Sequence, residues 1–167
     1  LKKIENLPSF AKGGLSNVWG GSILPYRKQD FKKWPIKLED LEDHYRYVIN
    51  KIGISSSDDD LKSFFPVYTE NSTYNFKNSN QAKILKKYYE NNKINLNNSG
   101  IFFGYSRLAI NQKKHECIYC GSCLYGCVHS LIYNSANDLN HLIENNYFQY
   151  KSNLQVEKFI EKNNKVI

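Results

Sequence analysis

The sequence predicts a mixed α+β segment of the α/β class. Three observations predict it. Apolar residues recur at helical spacing over Leu38–Ile52, Gln81–Asn91 and Ala136–Asn145. Extended runs stand between and after them, at Ser99–Asn111 and Asn153–Ile160. The chain then continues through Asn163-Asn164, a dipeptide suited to a tight hairpin turn, into a second strand that looks cut short. The 167 residues suit one domain or a piece of a larger one. Met is absent even at position 1, so the sequence is expected to be the interior of a longer chain.

Each element has its own signals. In the first helix Leu41, Tyr45, Val48, Ile49 and Ile52 share a face, and Gly53 follows as a C-cap. The second helix is expected to bury Ile84, Leu85, Tyr88 and Tyr89. The third takes Asn134 or Ser135 as its cap and turns Leu139, Leu142 and Ile143 inward. Asp30-Phe-Lys-Lys-Trp-Pro35 reads as an exposed connection. Ser55-Ser-Ser-Asp-Asp-Asp60 lacks the alternating ligands and the Gly of a calcium loop, so a solvated loop is expected.

Composition narrows the function. A hydrophobic content of 41% is that of a folded chain, not a disordered one. The net charge of +7 is spread over interspersed Lys, Arg, Asp and Glu, without the basic stripe of a nucleic-acid binder. No apolar run approaches the roughly 20 residues of a membrane span. A cytoplasmic location is expected, because the thiols are clustered rather than scattered in pairs.

All four cysteines fall in eleven residues, Cys117-Ile-Tyr-Cys120-Gly-Ser-Cys123-Leu-Tyr-Gly-Cys127. Short gaps of this kind let one loop wrap an iron–sulfur cluster with thiolates. Zinc fits less well, since structural zinc sites join two close pairs across a longer gap. Packed thiols that bind nothing are the third alternative. The run also resembles half of a bacterial ferredoxin, with Val128 in place of the expected proline and no second run. A second motif, Gly13-Gly-Leu-Ser-Asn-Val-Trp-Gly-Gly21, lets the backbone approach a neighbour closely and can turn N–H groups toward an anion. It is not the G-x-G-x-x-G dinucleotide fingerprint.

Taken in order, these motifs resemble the middle of a glucose–methanol–choline (GMC) flavoprotein oxidoreductase. The family's Gly-Gly-x-Ser-x-x-x-Gly pattern is met by Gly13 to Gly20. Its Asp-Phe, Trp-Pro and Asp-Leu-x-x-x-Tyr series is met by Asp30-Phe31, Trp34-Pro35 and Asp40-Leu41 with Tyr45. Its Cys-Gly-x-Cys-x-x-Gly-Cys stretch is met by Cys120 to Cys127. The resemblance implies an incomplete FAD-binding domain plus part of a substrate-binding domain. Residues 1–54 would belong to the first, 55–115 to the substrate side, and 116–167 to the cysteine loop and the return. It implies FAD as cofactor, held by Gly13, Gly14, Ser16, Asn17, Val18, Trp19, Gly20 and Gly21, with Val156 beside the adenine. It implies oxidation of a CH–OH group on a sugar or other alcohol, with hydride passing to the flavin. Val18 and Trp19 stand where some members carry a histidine linked to FAD. No catalytic role is carried onto His44, His115, His129 or His141. Certain sugar-dehydrogenase subunits similar to this family hold a three-iron cluster at the spacing of Cys117, Cys123 and Cys127, which leaves Cys120 as a fourth ligand or an extra thiol. An electron-acceptor subunit would then be a partner. The alternatives are a ferredoxin-like electron carrier and a zinc-dependent interaction module.

Overall fold

The computed structural model describes residues 8–69, 76–111 and 116–166. Its order is a 3-10 turn at Gly14–Asn17, a second at Lys28–Lys33, and a third at Glu39–Leu41 that runs into helix α1, Glu42–Ile52. Helix α2 spans Asn80–Asn98, and a short 3-10 turn covers Cys123–Tyr125. Helix α3, Ser135–Ile143, precedes an antiparallel hairpin of β1, Glu161–Lys162, and β2, Lys165–Val166. Among the described residues the architecture is therefore mixed, with more helix than strand and one small two-stranded sheet. Among the described residues no helix is long and apolar enough to cross a membrane.

The helices form where the apolar spacing places them, with differences in extent. The first begins as a 3-10 turn, and the Gly53 N–H closes it on Ile49 O at 2.9 Å. The second continues past Asn91 to Asn98 and bends at Asn92. Of its four expected core residues only Tyr89 is buried; Ile84, Leu85 and Tyr88 are exposed. The third is capped by the Asn134 side chain, which accepts from the Ala136 N–H. Leu142 and Ile143 are exposed, and Leu139 is half-buried.

The strand expected over Asn153–Ile160 is absent, because that stretch has no neighbouring strand to pair with. The hairpin beyond it does form, with Asn163 and Asn164 both at positive φ, 53° and 57°. That is the conformation a tight two-residue turn demands of its central pair. The extended run before the cysteines makes isolated bridges instead of a strand, pairing Leu108 with Ser22 and Ser55, and Ile110 with Ile132. These bridges tie the early, middle and late parts of the chain at one point. The small core sits there, on Ile110, Leu131 and Ile132, with Trp19, Phe76, Leu108, Cys117 and Cys127 packed around it. The Asp30–Pro35 connection is also less exposed than its composition suggests. Phe31 is buried, and its ring packs at 5.3 Å from Trp34 and 6.0 Å from Tyr26.

Candidate functional site

The cysteine loop lies directly on this core. Cys117 and Cys127 are half-buried against it, while Cys120 and Cys123 are exposed. All four thiols are free. All four also line one cavity of about 320 Å³, whose other walls include Leu108, Ile110, Ile118, Leu131 and Ile132. The loop is held open by local strain and by two anchors. Tyr119 takes a positive φ of 59°, which costs a non-glycine residue energy unless its surroundings enforce it. Its hydroxyl accepts from the Lys77 N–H at 2.9 Å, and its ring meets Phe76 edge-on at 6.1 Å. Its own N–H donates to Cys117 Sγ at 3.4 Å. Hydrogen bonds to sulfur in an apolar pocket are among the features that tune a thiolate-bound cluster. Thiolates are the ligand type that an iron–sulfur cluster takes. The sulfurs are not drawn together, however: among the described residues no three His, Cys, Asp or Glu side chains gather as a metal-binding group.

The glycine loop is packed against the cysteine loop and the start of α3. Ser16 Oγ accepts from the Ser135 N–H at 3.0 Å, and Ser135 Oγ donates to Gly13 O at 3.1 Å. Asn134 Nδ2 donates to Asn17 Oδ1 at 2.6 Å, while Asn134 Oδ1 accepts from the Ala136 N–H at 2.8 Å. Trp19 Nε1 donates to Tyr133 O at 2.9 Å. Burial first, and then the hydrogen bond to Asp138, push the Tyr133 phenol upward. Two close approaches finish the fit. A Cβ on Gly20 would stand 2.8 Å from Leu124 Cδ2, and one on Gly126 would stand 2.9 Å from Asn17 O. Each loop uses a glycine to admit the other.

The glycines and polar side chains of residues 13–21 are thus engaged largely with the chain itself. Outward, the loop exposes Leu15 and Val18. Val156 stands apart from this assembly, 72% exposed and outside any strand. His44, His129 and His141 are exposed, and His115 lies outside the described residues.

Sequence reasoning missed two side chains that are among the most heavily bonded of the described residues. The buried Arg107 forms a bidentate pair with the half-buried Asp59, at 2.9 Å and 3.0 Å. The stretch Ser55–Asp60 is consequently no simple solvated loop: Ser55 and Ser56 are buried with it. The one available signal was an arginine inside an otherwise apolar run, Arg107-Leu-Ala-Ile. Compared with known proteins, the chain matches no family model and no curated sequence.

Proposed function

We propose that the chain is part of an FAD-dependent oxidoreductase acting on a CH–OH group of a sugar or other alcohol, with pieces of its FAD-binding and substrate-binding domains. The observation that carries this reading is the mutual packing of the glycine loop and the cysteine loop on the start of α3. Motifs that stand far apart in sequence, in the order the resemblance expects, meet as one unit. The residues that would hold the flavin are Gly13, Gly14, Ser16, Asn17, Val18, Trp19, Gly20 and Gly21. Ser16, Asn17 and Trp19 would act through loop shape, since their polar atoms are bonded inward. Direct contact would fall to Leu15, Val18 and the backbone at Gly14. When bound, the flavin supplies the hydride acceptor, and the chain supplies orientation.

The FAD content of the intact native protein tests this. Gly14 has φ +55°, and an added Cβ would meet only Ser9 O, at 3.9 Å. Gly14→Val therefore perturbs the loop's conformation and outer face without an internal clash. Flavin occupancy should fall sharply in that variant. Unchanged occupancy, or a wild-type protein without flavin, removes the reading.

A second reading rests on a separate observation, the cavity that all four thiols line. Cys117, Cys123 and Cys127 would hold an iron–sulfur cluster, with Cys120 as fourth ligand or spare thiol. Such a cluster supplies one-electron transfer, toward an acceptor subunit if it accompanies a flavin or on its own in a small carrier. Cys123→Ser should lose iron and sulfide together, and Cys120→Ser should at most change the cluster type. Anaerobic iron and sulfide analysis that finds neither, after reconstitution, leaves these residues as packed thiols.

A further inference from the structure

A second cavity, of about 350 Å³, opens between α2 and the segments 57–60 and 103–105. It shares no lining residue with the cysteine cavity. One of its lining residues, Asp59, is paired with the buried Arg107. Asp59 also accepts from the Tyr105 N–H at 2.6 Å and the Leu61 N–H at 3.0 Å. Arg107 further donates to Tyr105 O at 2.7 Å and Phe65 O at 3.3 Å. The two segments are pinned to one another by these part-buried bonds, so the groups beside them are held in place before any ligand arrives.

Those groups alternate in character. The Asp60 carboxylate accepts from Tyr89 Oη at 2.6 Å and Lys93 Nζ at 2.7 Å. The Lys93 bond first, and then the Tyr89 bond, keep this carboxyl below its usual range. Tyr105 Oη accepts from Asn78 Nδ2 at 3.0 Å and Lys86 Nζ at 3.2 Å. Two donors thus point at one phenol oxygen, and the phenol's own hydrogen has no acceptor among the described residues. It is available to a ligand. Phe103 adds an aromatic wall.

The charges select the ligand class. Lys86 and Lys93, paired with Glu90 and Asp60, stand around the same space as Asp58 and Asp59. Four carboxylates line it, and each has a cationic partner: Asp58 has Lys62, Asp59 has Arg107, Asp60 has Lys93 and Glu90 has Lys86, so a phosphate or carboxylate would meet no unmatched cation among the lining residues. A neutral polyol would find donors and acceptors in turn, beside aromatic rings. The volume lies at the lower end of the ~300–1,000 Å³ usual for small-molecule sites. The geometry points to a binding site for a neutral carbohydrate, a mono- or disaccharide. This inference uses none of the residues on which the flavin and cluster readings depend.

Titration of the intact protein with glucose, galactose, N-acetylglucosamine and maltose tests it, followed by amide chemical shifts, with inorganic phosphate as the anionic comparison. At least one of the sugars should give saturable shifts centred on Gly104, Tyr105 and α2. Asp60→Asn and Tyr105→Phe should each weaken that sugar about tenfold or more, the effect of losing one hydrogen bond to a charged or buried partner. Lys86→Gln, a change at a partly exposed position, gives the same readout should either variant fail to fold. No saturable shift with any sugar, unchanged affinity in the folded variants, or phosphate binding in place of sugar would each overturn the inference.

Discussion

Arg107 is 1% exposed and makes four hydrogen bonds, to Asp59 twice, to Phe65 O and to Tyr105 O. A guanidinium out of water is tolerable only when its donors are met, and here one side chain joins three stretches of chain in meeting them. Removing one partner strands the other. Asp59→Ala or Arg107→Ala should cost about 3–5 kcal/mol by urea unfolding, because each leaves a buried uncompensated charge. The double variant Asp59→Leu with Arg107→Met should recover most of that loss. A double variant no better than the singles would show that the pair does more than neutralise itself. Apart from an arginine in an apolar run, none of this was legible locally. Asp58, Asp59 and Asp60 are identical in type and adjacent, yet Asp59 alone faces Arg107, Asp60 faces Tyr89 and Lys93, and Asp58 pairs with Lys62. What separates them is a partner distant in sequence, which periodicity and composition do not encode.

The helices were legible at their starts, and for α1 and α3 nearly at their ends, because caps are local chemistry. Gly53 and Asn134 do what their residue types favour at helix ends. The end of α2 was missed because four of the seven residues from Asn92 to Asn98 are asparagines, whose helix propensity is low. A tertiary bond holds that stretch, since Lys93 Nζ reaches Asp60 at 2.7 Å. The end itself is a Schellman turn, with Ile101 N–H on Leu96 O and Gly100 N–H on Asn97 O, both at 2.9 Å. Gly100 adopts φ +77°, and an added Cβ would meet nothing within 4 Å. Gly100→Ala should therefore destabilise by about 1 kcal/mol through backbone strain alone. Gly100→Asn should cost less, since Asn tolerates the left-handed region. Equal stability of all three would mean that the turn relaxes without loss. The missed burial in α2 has a different origin. Spacing identifies an apolar face but not whether anything packs on it, and here Ile84, Leu85 and Tyr88 stay exposed.

The whole molecule carries the same feature at larger scale. The chain exposes 14,066 Å² for a mass of 19.5 kDa. A compact monomer of that mass would expose about 8,500 Å², and its unfolded chain about 28,000 Å². Folding therefore hides only about 14,000 Å², against about 20,000 Å² for a compact chain of equal length. The excess includes large apolar side chains, among them Tyr125, Val128, Tyr147, Leu154 and Phe159. Composition carries no warning of this, since a 41% hydrophobic content is ordinary for a closed globule. The denaturant slope m scales with surface exposed on unfolding. The isolated chain should thus show an m-value about 70% of that for a compact protein of its length. It should also bind a dye for exposed apolar surface before any denaturant is added. Both signs should weaken together if a partner surface covers these side chains. A full-size m-value from a monomer that binds no dye would mean that the chain closes on itself in solution, and that these apolar residues find cover within it.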